Sequence, residues 1–264
     1  MLHLNKDYLI QNYIELKRPI KEIADECGVC VGSIERALHK FNLTNIRSRI
    51  KNPINVEKIF ASPEMYYFIG IIATDGYISL KTNRVSLRLR NEGAKDLLFA
   101  LKEYFEFPGD IRVYNEKDYD LTMTSKQLID FLEQHNVTGR DKTFTVGIPD
   151  YFPNEDCVRM FLRGVLDGDG NIHIVKRNNK ITQWQFRIVT GSLNLIKGVQ
   201  KLFKDYLNID TPLKVHKIKG REYPALFLTN AESKKFYSWV YKGYSKFRLS
   251  SKFERVCQVV EDIV

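Results

Sequence analysis

Asp75 and Asp169 stand 94 residues apart, each at the end of an apolar run and directly before a glycine. Thr74-Asp75-Gly76 closes the run Phe68-Ile69-Gly70-Ile71-Ile72-Ala73, and Gly168-Asp169-Gly170 closes Leu162-Arg163-Gly164-Val165-Leu166-Asp167. A carboxylate at the C-terminal end of a helix meets the negative end of the dipole, an unfavourable contact of roughly 0.3 to 1 kcal/mol. Glycine within a helix costs a further ~0.5 to 1 kcal/mol relative to alanine, so both features call for a compensating reason. Gly70 and Thr74, and likewise Gly164 and Gly168, are four residues apart, which gives each helix a stripe of small residues along which another helix can approach closely. Pairing of the two helices through these stripes brings both acids to the base of the pair. Two carboxylates held together there make a site for a divalent cation, with magnesium favoured by hard oxygen ligands. A single Asp-Gly would mark only a turn; a second copy in equivalent surroundings points to chemistry.

The elements that must position these acids also repeat. After Gly76 come two alternating stretches (77–81 and 85–90), a helical stretch (96–105), two more strands (111–114 and 119–124) and a helix over 125–134. After Gly170 come strands over 171–175 and 183–189, a helix over 193–207, strands near 213–218 and 225–229, and a helix over 231–241. Helix, strand, strand, helix, strand, strand, helix occurs twice. The expectation is an α+β fold of two pseudo-symmetric αββαββα repeats, residues 63–150 and 151–264, forming two antiparallel sheets.

Period-two alternation shows which face of each sheet is dry. Ile78, Leu80, Val85, Leu87 and Leu89, then Ile172, Ile174, Trp184, Phe186 and Ile188, point toward the helices. The alternate positions are Tyr77, Ser79, Lys81, Ser86, Arg88 and Arg90 in the first half, and Asn171, His173, Gln183, Gln185 and Arg187 in the second. A half-exposed antiparallel sheet normally has a polar face, but Arg, Gln, Ser and His recur here in both halves with few acids among them. Such groups hydrogen-bond base edges and phosphates. Arg84, Arg112, Tyr114, Arg177, Lys214 and His216, in or beside the predicted strands, join them as candidate DNA contacts.

Residues 1–45 read as a small all-α domain. Tyr8-Leu9 and Tyr13-Ile14 recur at helical spacing, Pro19 breaks the pattern, Gly28 interrupts the next helix, and Ile34, Leu38 and Phe41 share a stripe on the last. Helix, Gly-containing turn and helix form the helix-turn-helix signature, whose second helix would bury Val29, Ile34 and Leu38 and present Ser33, Glu35, Arg36 and Lys40, with Arg36 and Lys40 the foremost DNA contacts. Residues 46–62 are expected to be a basic linker whose Arg47, Arg49 and Lys51 follow phosphates or enter a narrow minor groove. Cys27-x-x-Cys30 has no second Cys or His pair beside it, so a structural zinc site is not expected.

At 264 residues, with 44% hydrophobic and 12% aromatic content, the chain can bury substantial cores, and disorder is excluded as a general description. The apolar stretch at 66–73 is far too short for a membrane span, and the first residues lack the regions of a signal peptide, so a soluble intracellular chain is expected. A net charge of +9 favours an anionic partner. Four cysteines are too few for a disulfide framework.

The repeated motif, Phe68 to Gly76 and Leu162 to Gly170, resembles the LAGLIDADG homing endonucleases in their single-chain, two-motif form. The resemblance covers about residues 63–264 through the motifs and the order of flanking elements. The first copy departs from the pattern at Ala73, where the family motif has its first aspartate, and at Thr74 in place of alanine. The final acid, which binds metal in the family, is present in both copies as Asp75 and Asp169.

The resemblance implies metal-assisted hydrolysis of both strands of a DNA duplex, with magnesium held by Asp75, Asp169 and the backbone carbonyls of Thr74 and Gly168. The ions would polarise the scissile phosphates, lower the pKa of the attacking water and stabilise the leaving 3′ oxygen. It also implies a basic residue from each half that orders water and offsets charge. Lys142, in Thr138-Gly139-Arg140-Asp141-Lys142-Thr143-Phe144, matches in the first half. Aligning Ser125-Lys126 with Ser233-Lys234 sets an offset of 108 residues that carries Lys142 near Ser250; Lys252 is the nearest lysine, at the cost of a two-residue insertion, and Lys246 is its rival. Further implications are a monomer, a long asymmetric target, cuts across the minor groove with short 3′ overhangs, and sheets in the major groove. Two other functions use such a scaffold: a DNA-binding regulator that no longer cuts, against which the two acids argue, and an intron RNA maturase, for which no motif is legible. Residence in an intein is not expected, because the chain ends carry no splice-junction Cys, Ser or Thr.

Overall fold

The chain divides into two compact units, Met1–Pro53 and Ile54–Val264. The computed structural model describes residues 4–16, 18–43, 62–90, 92–139, 141–178, 180–243 and 245–260. Arg47, Arg49 and the rest of the expected linker before Ser62 lie outside the described residues. None of the described helices is long and apolar enough to cross a membrane.

In the first unit, Asn5 caps helix α1 (Lys6–Leu9) by accepting the Asp7 and Tyr8 N–H groups at 2.9 and 3.1 Å. A π-helical turn, Ile10–Glu15, continues it. Helix α2 (Ile20–Cys27) follows Pro19 and stops at Gly28, whose φ of +64° supplies the left-handed cap that a side chain would resist. Helix α3 (Val31–Lys40) comes directly after the turn. Leu9, Tyr13, Ile14, Ile23, Ala24, Ile34, Ala37, Leu38 and Leu43 form the unit's core. Val29, expected in that core, is only half-buried because it sits in the turn rather than on a helix face, and Ser33 is half-buried as well; Glu35, Arg36 and Lys40 are exposed.

In the second unit, α4 (Pro63–Thr74) begins at Ser62, which accepts the Glu64 N–H at 3.1 Å, and α8 (Glu155–Asp167) begins at Asn154, which accepts the Cys157 N–H at 3.0 Å. Both carry the motifs and lie side by side in the core. The first sheet contains β1 (Gly76–Ser79), β2 (Arg84–Arg90), β3 (Arg112–Tyr114) and β4 (Asp118–Thr124) in spatial order β1-β2-β4-β3. The second contains β5 (Gly170–Arg177), β6 (Lys180–Val189), β7 (Lys214–Ile218) and β8 (Arg221–Phe227) in the matching order β5-β6-β8-β7. All pairings are antiparallel. Helices α5 (Glu92–Tyr104), α6 (Lys126–Gln134), α9 (Leu193–Leu207) and α10 (Asn230–Val240) supply the remaining layer, their buried residues joining those of the sheets in one core.

The expected repeat is therefore present, but its elements are displaced in places: α5 begins at Glu92 rather than 96, and β8 runs over Arg221–Phe227 rather than 225–229. Strand β1 ends at Ser79, which leaves Leu80 and Lys81 in the turn. Strand β6 begins earlier than its alternation suggested, at Lys180. Two short helices close the repeats, α7 (Lys142–Thr145) and α11 (Ser250–Cys257). Neither shows an apolar period, since α7 buries no residue and α11 buries only Val256.

Candidate active site

The approach of the two motif helices is set by backbone. A Cβ placed on Gly70 would collide with the Phe161 carbonyl and come within 3.2 Å of the Gly164 Cα, and one on Gly164 would collide with the Tyr67 carbonyl. The helices thus touch main chain to main chain, as the small-residue stripes predict. One turn further on, Thr74 packs against Gly168, so the threonine that replaces the motif's alanine is accommodated by the absence of a side chain opposite. Its hydroxyl bonds back to the Gly70 and Ile71 carbonyls of its own helix, at 3.3 and 3.1 Å.

Asp75 caps the end of α4, and Asp169 follows one residue beyond Gly168, the cap of α8. The packed helix ends disfavour charge on both. Burial raises the Asp75 pKa, even though its side chain reaches solvent, while Lys252 and Lys142 oppose the shift. For Asp169 burial is again the main cause, the Asp75 charge adds to it, and the value is pushed up to about 6. Neither carboxylate accepts a hydrogen bond from another described residue.

Each helix end is met by a lysine. Lys142 Nζ donates to the carbonyls of Ile72, Ala73 and Thr74 at 2.9, 3.1 and 2.7 Å. Lys252 Nζ donates to those of Leu166 and Gly168 at 2.8 and 2.6 Å. An ammonium at a helix C-terminus complements the dipole and the unpaired carbonyls together. Burial lowers the Lys142 pKa to about 8 and also lowers that of Lys252, against the pull of the surrounding acids. Lys246, the rival from sequence, lies elsewhere: its ammonium pairs with Glu103 at 2.6 Å on the surface. The lysine helices also stitch the halves together. Thr143 on α7 lies against Gly191 of the second half, and Ser250 on α11 against Gly93 of the first.

Asp167, a motif residue without an expected role, is fully buried. It accepts Tyr67 Oη at 2.7 Å, Tyr241 Oη at 3.2 Å and the Leu249 N–H at 2.9 Å. Burial pushes its pKa up to about 6 against these bonds. The motif letter alone could not distinguish it from a metal ligand.

On the sheets, cross-strand register places Tyr77 opposite Ser86, Ser79 opposite Arg84, Asn171 opposite Arg187 and His173 opposite Gln185. Tyr77, Arg84, Arg88, Arg90, Arg112, Tyr114, Asn171, Arg177, Gln183, Lys214 and His216 are exposed, whereas Ser79, Ser86, His173, Gln185 and Arg187 are half-buried. Lys81 is exposed on the β1–β2 turn. The acid-poor first face expected from sequence needs one correction. Asp118 and Asp120 of β4 lie opposite Arg90 and Arg88 on that same face, because β4 alternates Asp118, Asp120, Thr122 and Thr124 toward it. In the first unit, Cys27 Sγ lies 3.7 Å from Tyr8 Oη and Cys30 Sγ 3.3 Å from Ser33 Oγ.

Residues 156–239 match the family model of the LAGLIDADG-like domain. Two curated proteins of Methanocaldococcus jannaschii are similar in sequence. Glutamine–fructose-6-phosphate aminotransferase (isomerizing) is 26% identical over 241 residues, which cover 87% of this chain and 20% of that protein. DNA-directed RNA polymerase subunit Rpo1C is 23% identical over 253 residues, covering 92% of this chain and 27% of that protein. The chain thus spans a minor part of each relative, and their names denote unrelated activities, so neither activity is carried over. Among solved structures, the homing endonuclease I-WcaI bound to its DNA recognition sequence aligns with a TM-score of 0.53 and 15% identity, over 74% of this chain and 85% of that one. With its two motif helices packed backbone to backbone beside two like-ordered antiparallel sheets, the chain carries a LAGLIDADG-like domain and has the homing endonuclease fold.

Proposed function

We propose that the chain is a site-specific double-strand DNA endonuclease that works with a divalent cation. The observation that carries this reading is the meeting of Asp75, Asp169, Lys142 and Lys252 at the ends of one helix pair. The donor set suits a hard cation: two carboxylates without internal donors, and the carbonyls of Thr74 and Gly168, each already turned toward an ammonium. Magnesium bound by Asp75, Asp169 and these carbonyls would supply charge stabilisation at the scissile phosphates and acidify the attacking water.

The remaining work falls to the chain. Lys142 and Lys252, fixed on the helix ends by their bonds to the carbonyls, offset negative charge that develops on the phosphate and order the water beside it. The two sheets orient the duplex through their polar faces, so that each strand meets one helix end. Because the two faces differ in sequence, the target is long and asymmetric, and one copy of the chain suffices to cut both strands with short 3′ overhangs. The first unit lengthens the footprint through a helix-turn-helix, with Ser33, Arg36 and Lys40 of α3 toward DNA and Arg47 and Arg49 along the backbone. Intron RNA has no support among the similar proteins and is not part of this reading.

Cleavage selection tests it. The purified protein is incubated with a highly diverse duplex library in magnesium and, in parallel, in calcium, and the cut ends are sequenced. Enriched sites with 3′ overhangs in magnesium alone are expected. Enrichment by binding without cutting, from folded protein, would replace the nuclease by a DNA-binding regulator on the same scaffold.

A further inference from the structure

The two sheets differ in a way that their shared topology conceals. On the open face of the first, Asp118 Oδ1 accepts Arg90 Nε at 2.8 Å and Oδ2 accepts Arg88 Nη2 at 3.1 Å. Arg88 also lies over the Tyr114 ring, 4.5 Å from its centre. Beside this group, Asp120 accepts Thr122 Oγ1 at 2.7 Å, and Thr122 meets Ser86 at 2.8 Å. Asp118 is only 7% exposed, although Arg88 and Arg90 keep 53% and 73% of their side-chain surface in solvent. The carboxylate is therefore a covered anchor beneath two guanidinium groups that remain open outward. The open face of the second sheet has no acid in its described strands. Arg187 there donates to Gln185 Oε1 at 2.8 and 3.3 Å and lies over Phe227, held by a neutral partner.

A carboxylate on a DNA-facing surface repels phosphate, so its presence weakens binding unless it does something else. What it can do is remove the freedom of two long side chains. An unanchored arginine turns to the nearest phosphate, a contact that carries no sequence information. An arginine whose Nε or one Nη is already engaged presents its remaining donors in a fixed direction, which two acceptors on a guanine edge match and a scattered phosphate does not. We propose that Asp118 is a specificity-determining residue: it fixes Arg88 and Arg90 over the first sheet and makes that half discriminate bases more sharply than the second. This rests on the reading of the sheets as a duplex-binding surface.

The test is quantitative binding-site selection in calcium, with wild-type protein, Asp118→Asn and Arg88→Lys, each first shown to be folded by circular dichroism, and with salt dependence measured on the preferred duplex. In wild type, wrong bases opposite the first half should cost roughly 10- to 100-fold in affinity, the range of a good two-pronged arginine contact. In Asp118→Asn that penalty should fall to about threefold, while log–log salt dependence steepens by about one for each arginine released to a phosphate. Discrimination in the second half should stay unchanged. Arg88→Lys keeps the charge and loses the fork, so it should lose discrimination without steepening the salt dependence. Wild-type penalties and salt dependence retained in both variants would overturn the proposal while leaving the duplex-binding reading intact. A folded wild-type protein with no preferred duplex would overturn both.

Discussion

Tyr67 on the first motif helix donates a 2.7 Å hydrogen bond to Asp167 on the second, so this carboxylate is used inside the protein rather than at the helix ends beside Asp75 and Asp169. Asp167 also holds the Leu249 N–H, three residues before Lys252. It thereby links the helix pair to the segment that carries the second lysine. The first motif has Ala73 at the matching position and no such link.

Tyr67→Phe is accordingly expected to destabilise the protein by about 1–3 kcal/mol, because a buried carboxylate loses a donor. Denaturant unfolding measures this. On supercoiled plasmid bearing the preferred site, the variant should also accumulate nicked circle, since only the Lys252 end is loosened. Unchanged stability with direct conversion to linear product would contradict the link.

Asp75→Asn and Asp169→Asn should each lower double-strand cleavage on the order of 10³-fold, as loss of a cation ligand removes several kcal/mol of transition-state stabilisation. Duplex binding should survive in both. The metal-free Asp169→Asn protein should be about 1 kcal/mol more stable than wild type at neutral pH, since a disfavoured, partly screened charge is gone. Full cleavage by either variant, read on a gel, would dismiss the assignment.

The pH behaviour of metal-free protein follows from the two acids raised to about 6 by burial, Asp169 and Asp167. A carboxyl whose folded-state pKa lies above its unfolded value stabilises the fold fully below that unfolded value, near 4, and the contribution is lost as pH rises through about 6. Unfolding free energies measured in urea without metal should therefore be higher at pH 5 than at pH 7.5, by about 1.4 kcal/mol for Asp167 alone, with the remainder of its effect reached only near pH 4. Asp167→Asn should flatten the profile. Calcium binding runs the other way, because the ligand must ionise: calorimetric affinity should weaken by up to about tenfold per unit below pH 6 and level off above it.

Lys252→Met should lower cleavage by about 10²-fold or more, whereas Lys246→Met should cleave at close to the wild-type rate. Lys252 meets the Leu166 and Gly168 carbonyls, while Lys246 meets only the surface carboxylate of Glu103. Steady-state cleavage of the two purified variants separates them, and a defective Lys246→Met with an active Lys252→Met would reverse the choice.

What the sequence alone determined was everything with a local signature. Apolar runs ending in Asp-Gly, small residues four apart and alternation of period two are properties of neighbouring residues, so Asp75, Asp169, the helix pair and most strands were legible. Lys142 has no such local signature and was reached only through the family resemblance, which implies a basic residue in its segment. Tertiary structure decided whatever depends on partners distant in the chain. Lys252 and Lys246 are both lysines in a polar segment, and only the packing of α11 brings one of them to the carbonyls of α8. Asp167 became an internal anchor because Tyr67, a hundred residues earlier, lies across the helix pair. Asp118 joined Arg88 and Arg90 through the register of two strands that are not consecutive in the chain, which fixes who faces whom; the alternation of either strand alone fixes only which way each side chain points.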